Sequence, residues 1–320
     1  MSYSTGTVSG LNNAVNTIST LATTAGWTVN DLSDDASKYD EDTFTGRRLH
    51  IQKTIGATTV YANFRSASNQ GIFAACNTTD VDYETITGIG CYLSTGYNGA
   101  LDWDQQAGFP TDNRAEDKGT GGCIRDALDT TNTYHCFYQD STFSIVFETG
   151  TGYLAISIGV TDTGKPFYMT SGGKTPAADY YFAVRQRAIG TPNYPGPQAH
   201  CGLMSGSDYY LSESLAISNN PLTILSQYEF RSLEDYSEQN TRSMGAPYLF
   251  YPPDPVRGNA PLVPIEFLTN TLKSTGQISD VRLVRSTYID NESDITTDSG
   301  TFKVFGLRSK EDTFGMAFKK

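Results

Sequence analysis

A predominantly β, α+β fold is what this 320-residue sequence predicts: antiparallel sheets or a sandwich, one short N-terminal helix, and Pro-rich extended arms. Three observations lead there. Glycine (30), tyrosine (20) and phenylalanine (16) are abundant while charged residues make up only 18%, a balance that favours strands and turns. Apolar residues alternate with polar ones at period two in several separate stretches. The prolines fall late, since none of the 13 precedes Pro110.

The elements follow in chain order. Leu11, Val15, Ile18 and Ala22 recur at three- or four-residue spacing, which predicts an amphipathic helix with Ser9 as N-cap and Gly26 as the stop beyond its end. The acidic residues Asp31, Asp34, Asp35, Asp40, Glu41 and Asp42 read as a solvated loop over 31–42. A sharper reading makes them a contact for a basic patch on a partner subunit. Leu49, Ile51, Lys53 and Ile55 then alternate with polar neighbours, as do Val60, Ala62 and Phe64. Gly56-Ala57 between them suits a type II′ hairpin. A second hairpin joins Phe143, Ile145 and Phe147 to Leu154, Ile156 and Ile158 through Thr149-Gly150-Thr151-Gly152. Tyr180, Phe182 and Val184 mark another strand. Phe314, Met316 and Phe318 form a last one, whose partner is 301–307 with Arg308–Asp312 as the turn.

Proline sets the organisation. Pro192, Pro195 and Pro197 interrupt the chain near 191–198, and Pro247, Pro252, Pro253, Pro255, Pro261 and Pro264 follow. Such segments cannot donate regularly to a ladder and tend to run extended. The chain therefore divides into a β-rich body with its helix (1–190), a loop-dominated Pro-rich arm region (191–264) and a C-terminal strand pair returning to a sheet (265–320). Long extended segments are unusual inside a lone monomer. The stretch Pro247–Pro264 is thus expected to be an arm that contacts another subunit, or else a wrapped surface loop.

The search for chemistry finds little. His50, His135 and His200 are far apart and form no local ligand pair, so a zinc site would need residues from distant positions. His135 and Cys136 are neighbours in a strand and point to opposite faces, so they form no dyad. Ser171–Thr175 resembles the tail of a phosphate loop, but Tyr168 stands where that loop needs glycine. Gly202–Gly206 misses a nucleophile elbow by one residue. Asp102 and Asp104 flank Trp103, and on a strand the two carboxylates would share a face, as a sugar hydrolase requires. Asp290, Glu292 and Asp294 could gather oxygens around calcium but lack the glycine of an EF-type loop, and read as a solvated turn. The expectation is a protein with no catalytic, cofactor or metal site.

The net charge of −12 argues against nucleic-acid binding and against anionic membranes. No basic segment followed by an apolar run opens the sequence, and no run approaches the roughly 18 apolar residues of a membrane span. Folding in a cytoplasm is expected. Cys76, Cys91, Cys123, Cys136 and Cys201 include no C-x-x-C pair and read as buried thiols, with late disulfides the other reading.

Several strings together resemble a family. Ser4-Thr5-Gly6-Thr7, the Leu11–Ala22 helix and Ala25-Gly26-Trp27-Thr28 open the chain. Gly88–Tyr97 runs into Trp103-Asp104-Gln105-Gln106-Ala107-Gly108, followed by Tyr134-His135-Cys136-Phe137 and Phe143–Phe147. Phe314–Lys320 ends with a short strand and basic residues. In this order they are similar to uncharacterised virion structural proteins of tailed bacteriophages. The resemblance covers both ends and the middle. It departs at Val304-Phe305-Gly306-Leu307, where that family often carries Phe-Pro.

The resemblance implies a non-enzymatic structural subunit of a virion, at the neck, collar or tail, assembling with copies of itself and other virion proteins as a ring or layer. It supplies no catalytic residues. The alternatives are a glycan- or receptor-binding module, with Trp103, Tyr92 and Tyr97 as exposed sugar platforms, and a carbohydrate hydrolase using Asp102 and Asp104.

Overall fold

The computed structural model describes residues 2–35, 44–70, 86–107, 122–124, 128–150, 152–171, 180–186, 200–205, 208–211, 222–223, 262–268, 274–285, 289–306 and 314–320. Its strands are β1 (Ser2–Ser9), β2 (Thr28–Asp35), β3 (Gly46–Ile55), β4 (Thr58–Gln70), β5 (Ile86–Ser94), β6 (Gly122–Ile124), β7 (Thr131–Tyr138), β8 (Thr142–Glu148), β9 (Tyr153–Val160), β10 (Pro166–Ser171), β11 (Tyr180–Gln186), β12 (His200–Ser205), β13 (Asp208–Leu211), β14 (Leu222–Thr223), β15 (Leu262–Leu268), β16 (Ser274–Arg285), β17 (Asp294–Thr297), β18 (Gly300–Gly306) and β19 (Phe314–Lys319). One helix, α1 (Leu11–Thr24), follows β1. The fold is α+β and predominantly β, as the sequence predicts.

Three antiparallel sheets form. The central sheet has the order β1-β7-β8-β9-β10-β11-β12-β13, the N-terminal sheet β2-β3-β4-β5-β6, and the C-terminal sheet β14-β15-β16-β19-β18-β17. One core fills the space between α1, the N-terminal sheet and one face of the central sheet. It includes Val15, Ile18, Trp27, Ile51, Phe64, Cys91, Phe143, Ile145 and Ile156. A second core joins the other face of the central sheet to the C-terminal sheet, through Phe137, Val146, Tyr153, Phe167, Phe305 and Phe318 among others. β9 is therefore buried along its whole length and β8 along nearly all of it. Ser144 and Ser157 hydrogen bond to each other at 2.7 Å, which satisfies two hydroxyls inside this doubly covered sheet.

The C-terminal end of the helix follows its local sequence. Trp27 N–H donates to Ala22 O at 2.9 Å and Gly26 N–H to Thr23 O at 3.0 Å, with Gly26 at φ +80°. This is the Schellman arrangement, in which a left-handed residue reverses the chain over the last carbonyls. The start differs from expectation. Ser9 is the last residue of β1, and Gly10, at φ +82°, occupies the cap. β1 runs straight into α1, so the junction needs a left-handed backbone that serine adopts at a cost. The Asn13 side-chain oxygen accepts from Ser9 N–H at 3.3 Å, just before the cap.

Both hairpins form in the expected register. Gly56 has φ +61° and Ile55 pairs with Thr58, which is a two-residue turn between β3 and β4. Phe143, Ile145 and Phe147 pair with Ile158, Ile156 and Leu154. β18 pairs with β19, while Arg308–Asp312 lies outside the described residues.

Two expectations change. Asp31, Asp34 and Asp35 belong to strand β2 rather than to a loop, and their partners are arginines of this same chain. Arg48 Nε donates to Asp31 at 2.8 Å, Arg47 Nη1 to Asp34 at 2.7 Å, and Arg65 Nε to Asp35 at 2.7 Å. The cross-strand register places Asp34 opposite Arg47, so these three carboxylates are matched within the chain. Asp40, Glu41 and Asp42 lie outside the described residues. Strands also occur between 191 and 264, where β12 and β13 extend the central sheet beyond the sequence boundary at 190.

Of the arm prolines, Pro247, Pro252, Pro253, Pro255 and Pro261 lie outside the described residues. Pro264 sits in β15 opposite Arg282, at a register shift before Ile265. β14 reaches only Phe267 and Leu268, so β15 has one strand neighbour at Pro264 among the described residues. A residue without an N–H is tolerated at such a bulged, locally open position.

Candidate functional site

The aromatic residues read as sugar platforms lie on the outer face of the N-terminal sheet. On β5, Cys91 points into the core and Tyr92 points away from it. Residues 95–107 fold back over that outer face as a loop ending in a short 3-10 turn, Trp103–Gln105. Gln106 ties the loop to itself. Its Nε2 donates to Asn98 O at 2.9 Å and Leu101 O at 3.1 Å, and its Oε1 accepts from Asn98 N–H at 2.8 Å.

The consequence is a correction. Trp103 and Tyr92 are both 0% exposed. Their rings meet edge to face, 5.1 Å apart, and the Tyr92 hydroxyl donates to Trp103 O. Neither presents a ring to a ligand, because the loop's own indole fills the space over the sheet. Tyr97 is partly exposed and lies 5.2 Å from the His50 ring. The hydrolase pair also loses its geometry. Asp102 caps the 3-10 turn and Asp104 lies within it, and at about three residues per turn positions i and i+2 do not share a face. Asp102 instead lies 3.9 Å from Arg48.

Beneath this loop His50 and Asn63 are paired across β3 and β4, with Nδ1 and Oδ1 2.6 Å apart. Burial holds His50 below its ordinary range, with Arg48 acting in the same direction, while the Asn63 hydrogen bond and the Asp31 and Asp35 carboxylates oppose it. The unfolded chain, with an ordinary imidazole pKa of about 6.5, then takes up this proton before the folded one does. His50 therefore contributes full stability above about pH 6.5 and loses it as pH falls toward the folded value. His135 acts with the same sign, so His50 is isolated by comparison with His50→Gln. Urea midpoints should fall between about pH 7.5 and 5.5 in the wild type, and fall less in the variant. Equal falls would remove His50 as a cause.

A second cluster lies between the central and C-terminal sheets, at residues that sequence reading did not join. His135 on β7, Glu148 at the end of β8 and Glu292 in the turn before β17 converge, each offering one ligand atom within 4.8 Å of the others. The alternation of β7 puts Cys136 in the first core, while His135 faces Phe305 of the C-terminal sheet, 5.1 Å between rings. They point to opposite faces, as expected of strand neighbours. Burial pushes the Cys136 thiol up to about 12, and the Cys91 thiol is raised by the same cause, so neither is a thiolate nucleophile.

His135 is 4% exposed. Its Nδ1 shares a 2.7 Å hydrogen bond with the Tyr3 hydroxyl. Its Nε2 is buried without a hydrogen-bond partner and lies 3.6 Å from Glu292 Oε2. Burial holds the imidazole below its ordinary range, with Lys303 adding to this and Glu292 and Glu148 opposing. The Tyr153 hydroxyl donates to Glu292 Oε1 at 3.2 Å, and burial followed by the two carboxylates raises its pKa. Glu292 itself has φ +62°, a left-handed backbone uncommon outside glycine, held by its N–H donating to Val304 O at 2.7 Å.

The reading of Asp290, Glu292 and Asp294 as a solvated turn holds for Asp290 and Asp294, which are exposed, but not for Glu292, which is half-buried. Glu292 turns in toward His135, whereas Asp294 is exposed and bonds Lys320 Nζ at 2.7 Å. No helix among the described residues is long and apolar enough to cross a membrane. No protein-family model matches the chain, and no curated protein matches it.

Proposed function

We propose that this chain is a non-enzymatic structural subunit of a bacteriophage particle, in the neck, collar or tail, assembling with copies of itself and with other virion proteins. The observation that carries the reading is the ordered set of family-like strings at both ends and in the middle of the sequence. Those strings coincide with the parts that organise the fold: the α1 exit at Gly26-Trp27, strand β5 with its covering loop, the β7–β8 pair, and β19 in the interior of the C-terminal sheet.

Sheet edges add support. β1 has one strand neighbour, β7, among the described residues. Its sequence, Ser2–Ser9, carries no charged residue and no proline. Edges in monomers are usually blunted by such residues, because an unpaired ladder invites another strand. In a repeating assembly the same edge serves as a joint through strand addition. The burial of Trp103 and Tyr92 weighs against the glycan-binding alternative. The net charge of −12 suits a position away from the packaged nucleic acid.

Sedimentation of the purified chain, together with mass spectrometry of purified particles, tests the proposal. Concentration-dependent association and presence in particles are expected. A chain that stays monomeric and is missing from particles overturns it.

A further inference from the structure

We propose that His135, Glu148 and Glu292 form a binding site for a divalent transition-metal ion of the zinc or manganese class, which ties the central sheet to the C-terminal sheet. The inference is independent of any role in a virion.

The donor set comes first. One imidazole nitrogen and two carboxylates, with atoms within 4.8 Å of one another, make a three-ligand protein site. Tetrahedral ligands at about 2.1 Å from a metal lie about 3.4 Å from each other. The separation of 3.6 Å between His135 Nε2 and Glu292 Oε2 is already close to that. One nitrogen with two carboxylate oxygens suits zinc or manganese better than a thiol-seeking ion, and one nitrogen ligand is atypical of a calcium or magnesium cage.

The buried nitrogen is the independent observation. His135 Nε2 has no hydrogen-bond partner although the residue is almost fully buried. Buried polar atoms in native proteins rarely go unsatisfied. Here the unsatisfied atom lies beside two carboxylates, and a cation between them would complete it.

The surroundings resemble those that orient metal ligands. Tyr3 holds the opposite ring nitrogen of His135 at 2.7 Å, and Tyr153 holds the second oxygen of Glu292 at 3.2 Å. Partners of this kind fix a ligating imidazole or carboxylate in place. Lys303 occupies a neighbouring position, where its Nζ donates to Glu292 O at 2.5 Å and lies 4.0 Å from Asp294 Oδ1. Glu292 accepts a strained left-handed backbone in this turn, and strain of that kind concentrates at functional positions. Glu148 and Glu292 are half-buried, which leaves room for water at a fourth position.

The ligands come from β7, β8 and the turn before β17, so an ion would bridge two sheets whose remaining contacts are mainly apolar. It would stabilise the folded chain in proportion to its occupancy.

The full-length chain is stripped with a chelator, dialysed against Zn2+ or Mn2+ alone, and its retained metal is counted. One equivalent per chain is expected, with a melting temperature that rises with metal concentration. Glu148→Gln and Glu292→Gln preserve shape while removing charge, and each should weaken retention at least tenfold. Circular dichroism confirms that each variant is folded, and Glu148→Gln at the strand end decides the matter if Glu292→Gln is not. Cobalt substitution should give visible bands without a thiolate charge-transfer band, which separates this site from the cysteines. Failure of the wild type to retain either metal overturns the proposal, as does retention undiminished in the folded variants or a thiolate signature.

Discussion

Asp35→Ala is expected to destabilise the chain by about 3–5 kcal/mol, the range for removing one member of a buried ion pair. Arg65 is 0% exposed and Asp35 8% exposed. Arg65 Nε donates to Asp35 Oδ2 at 2.7 Å, and Nη2 to Asp35 O at 3.3 Å. Without the carboxylate, the guanidinium keeps its charge, because arginine does not deprotonate at accessible pH. Arg65 Nη1 also donates to Ser66 O at 3.4 Å. The loss is therefore mainly that of a buried cation deprived of the carboxylate 2.7 Å from its Nε. Combining Asp35→Ala with Arg65→Met should recover much of it, since an apolar pair of similar volume is often near neutral. Urea denaturation at neutral pH reads both. A single-variant loss below about 1 kcal/mol would show that Arg65 finds another partner in the folded state.

Phe305→Ala should cost about 3–5 kcal/mol, the range for truncating a buried aromatic. Phe305 lies on β18, and its ring sits 5.1 Å from Tyr153, 6.0 Å from Phe137 and 5.8 Å from Phe318. The first two belong to the central sheet and the third to the C-terminal sheet. Truncation thus empties the centre of the apolar contact between the two layers. Polar contacts at its margin, among them Ser141 Oγ to Asp280 at 2.9 Å, Gln139 Nε2 to Lys319 O at 3.0 Å and the Tyr153 hydroxyl to Glu292 at 3.2 Å, do not fill the volume the ring leaves. Hydrogen exchange should accelerate in β16, β18 and β19 more than in β3 and β4, because the N-terminal sheet packs in the other core. Uniform acceleration across all sheets would mean that the layers unfold as one unit.

The legible parts of the fold were those whose cause is local. The β8–β9 register followed from Phe143, Ile145 and Phe147 alternating against Leu154, Ile156 and Ile158. The end of α1 followed from Gly26. Strand β1 was not legible, since Ser2–Ser9 offers only Tyr3 and Val8 as large apolar residues and is a strand because β7 lies beside it. The acidic run misled for a similar reason. Asp31 and Asp35 look solvated until Arg48 and Arg65 are placed beside them, whereas Asp34 stays exposed in its pair with Arg47.

The candidate site was less legible than the fold. Trp103 and Tyr92 were recognised as notable aromatics, but their exposure depended on where residues 95–107 fold. The sequence sets His135 beside Cys136, whereas its chemical neighbours are Glu148 and Glu292. An isolated glutamate in a turn carries no signal of its own until a strand from elsewhere supplies the imidazole.

The sequence by itself determined the β-rich class, the helix with the glycine beyond its C-terminal end, the hairpin turns and the strands that alternate. These rest on backbone preferences and on contacts between residues a few positions apart, which the order of side chains specifies directly. The tertiary structure alone decided which sheet each strand joins, that the central sheet is covered on both faces, that Arg65 is buried against Asp35, and that His135 meets two glutamates. Burial and charge pairing are set by whichever distant segment packs alongside, and the free energy of that choice is shared across the whole chain.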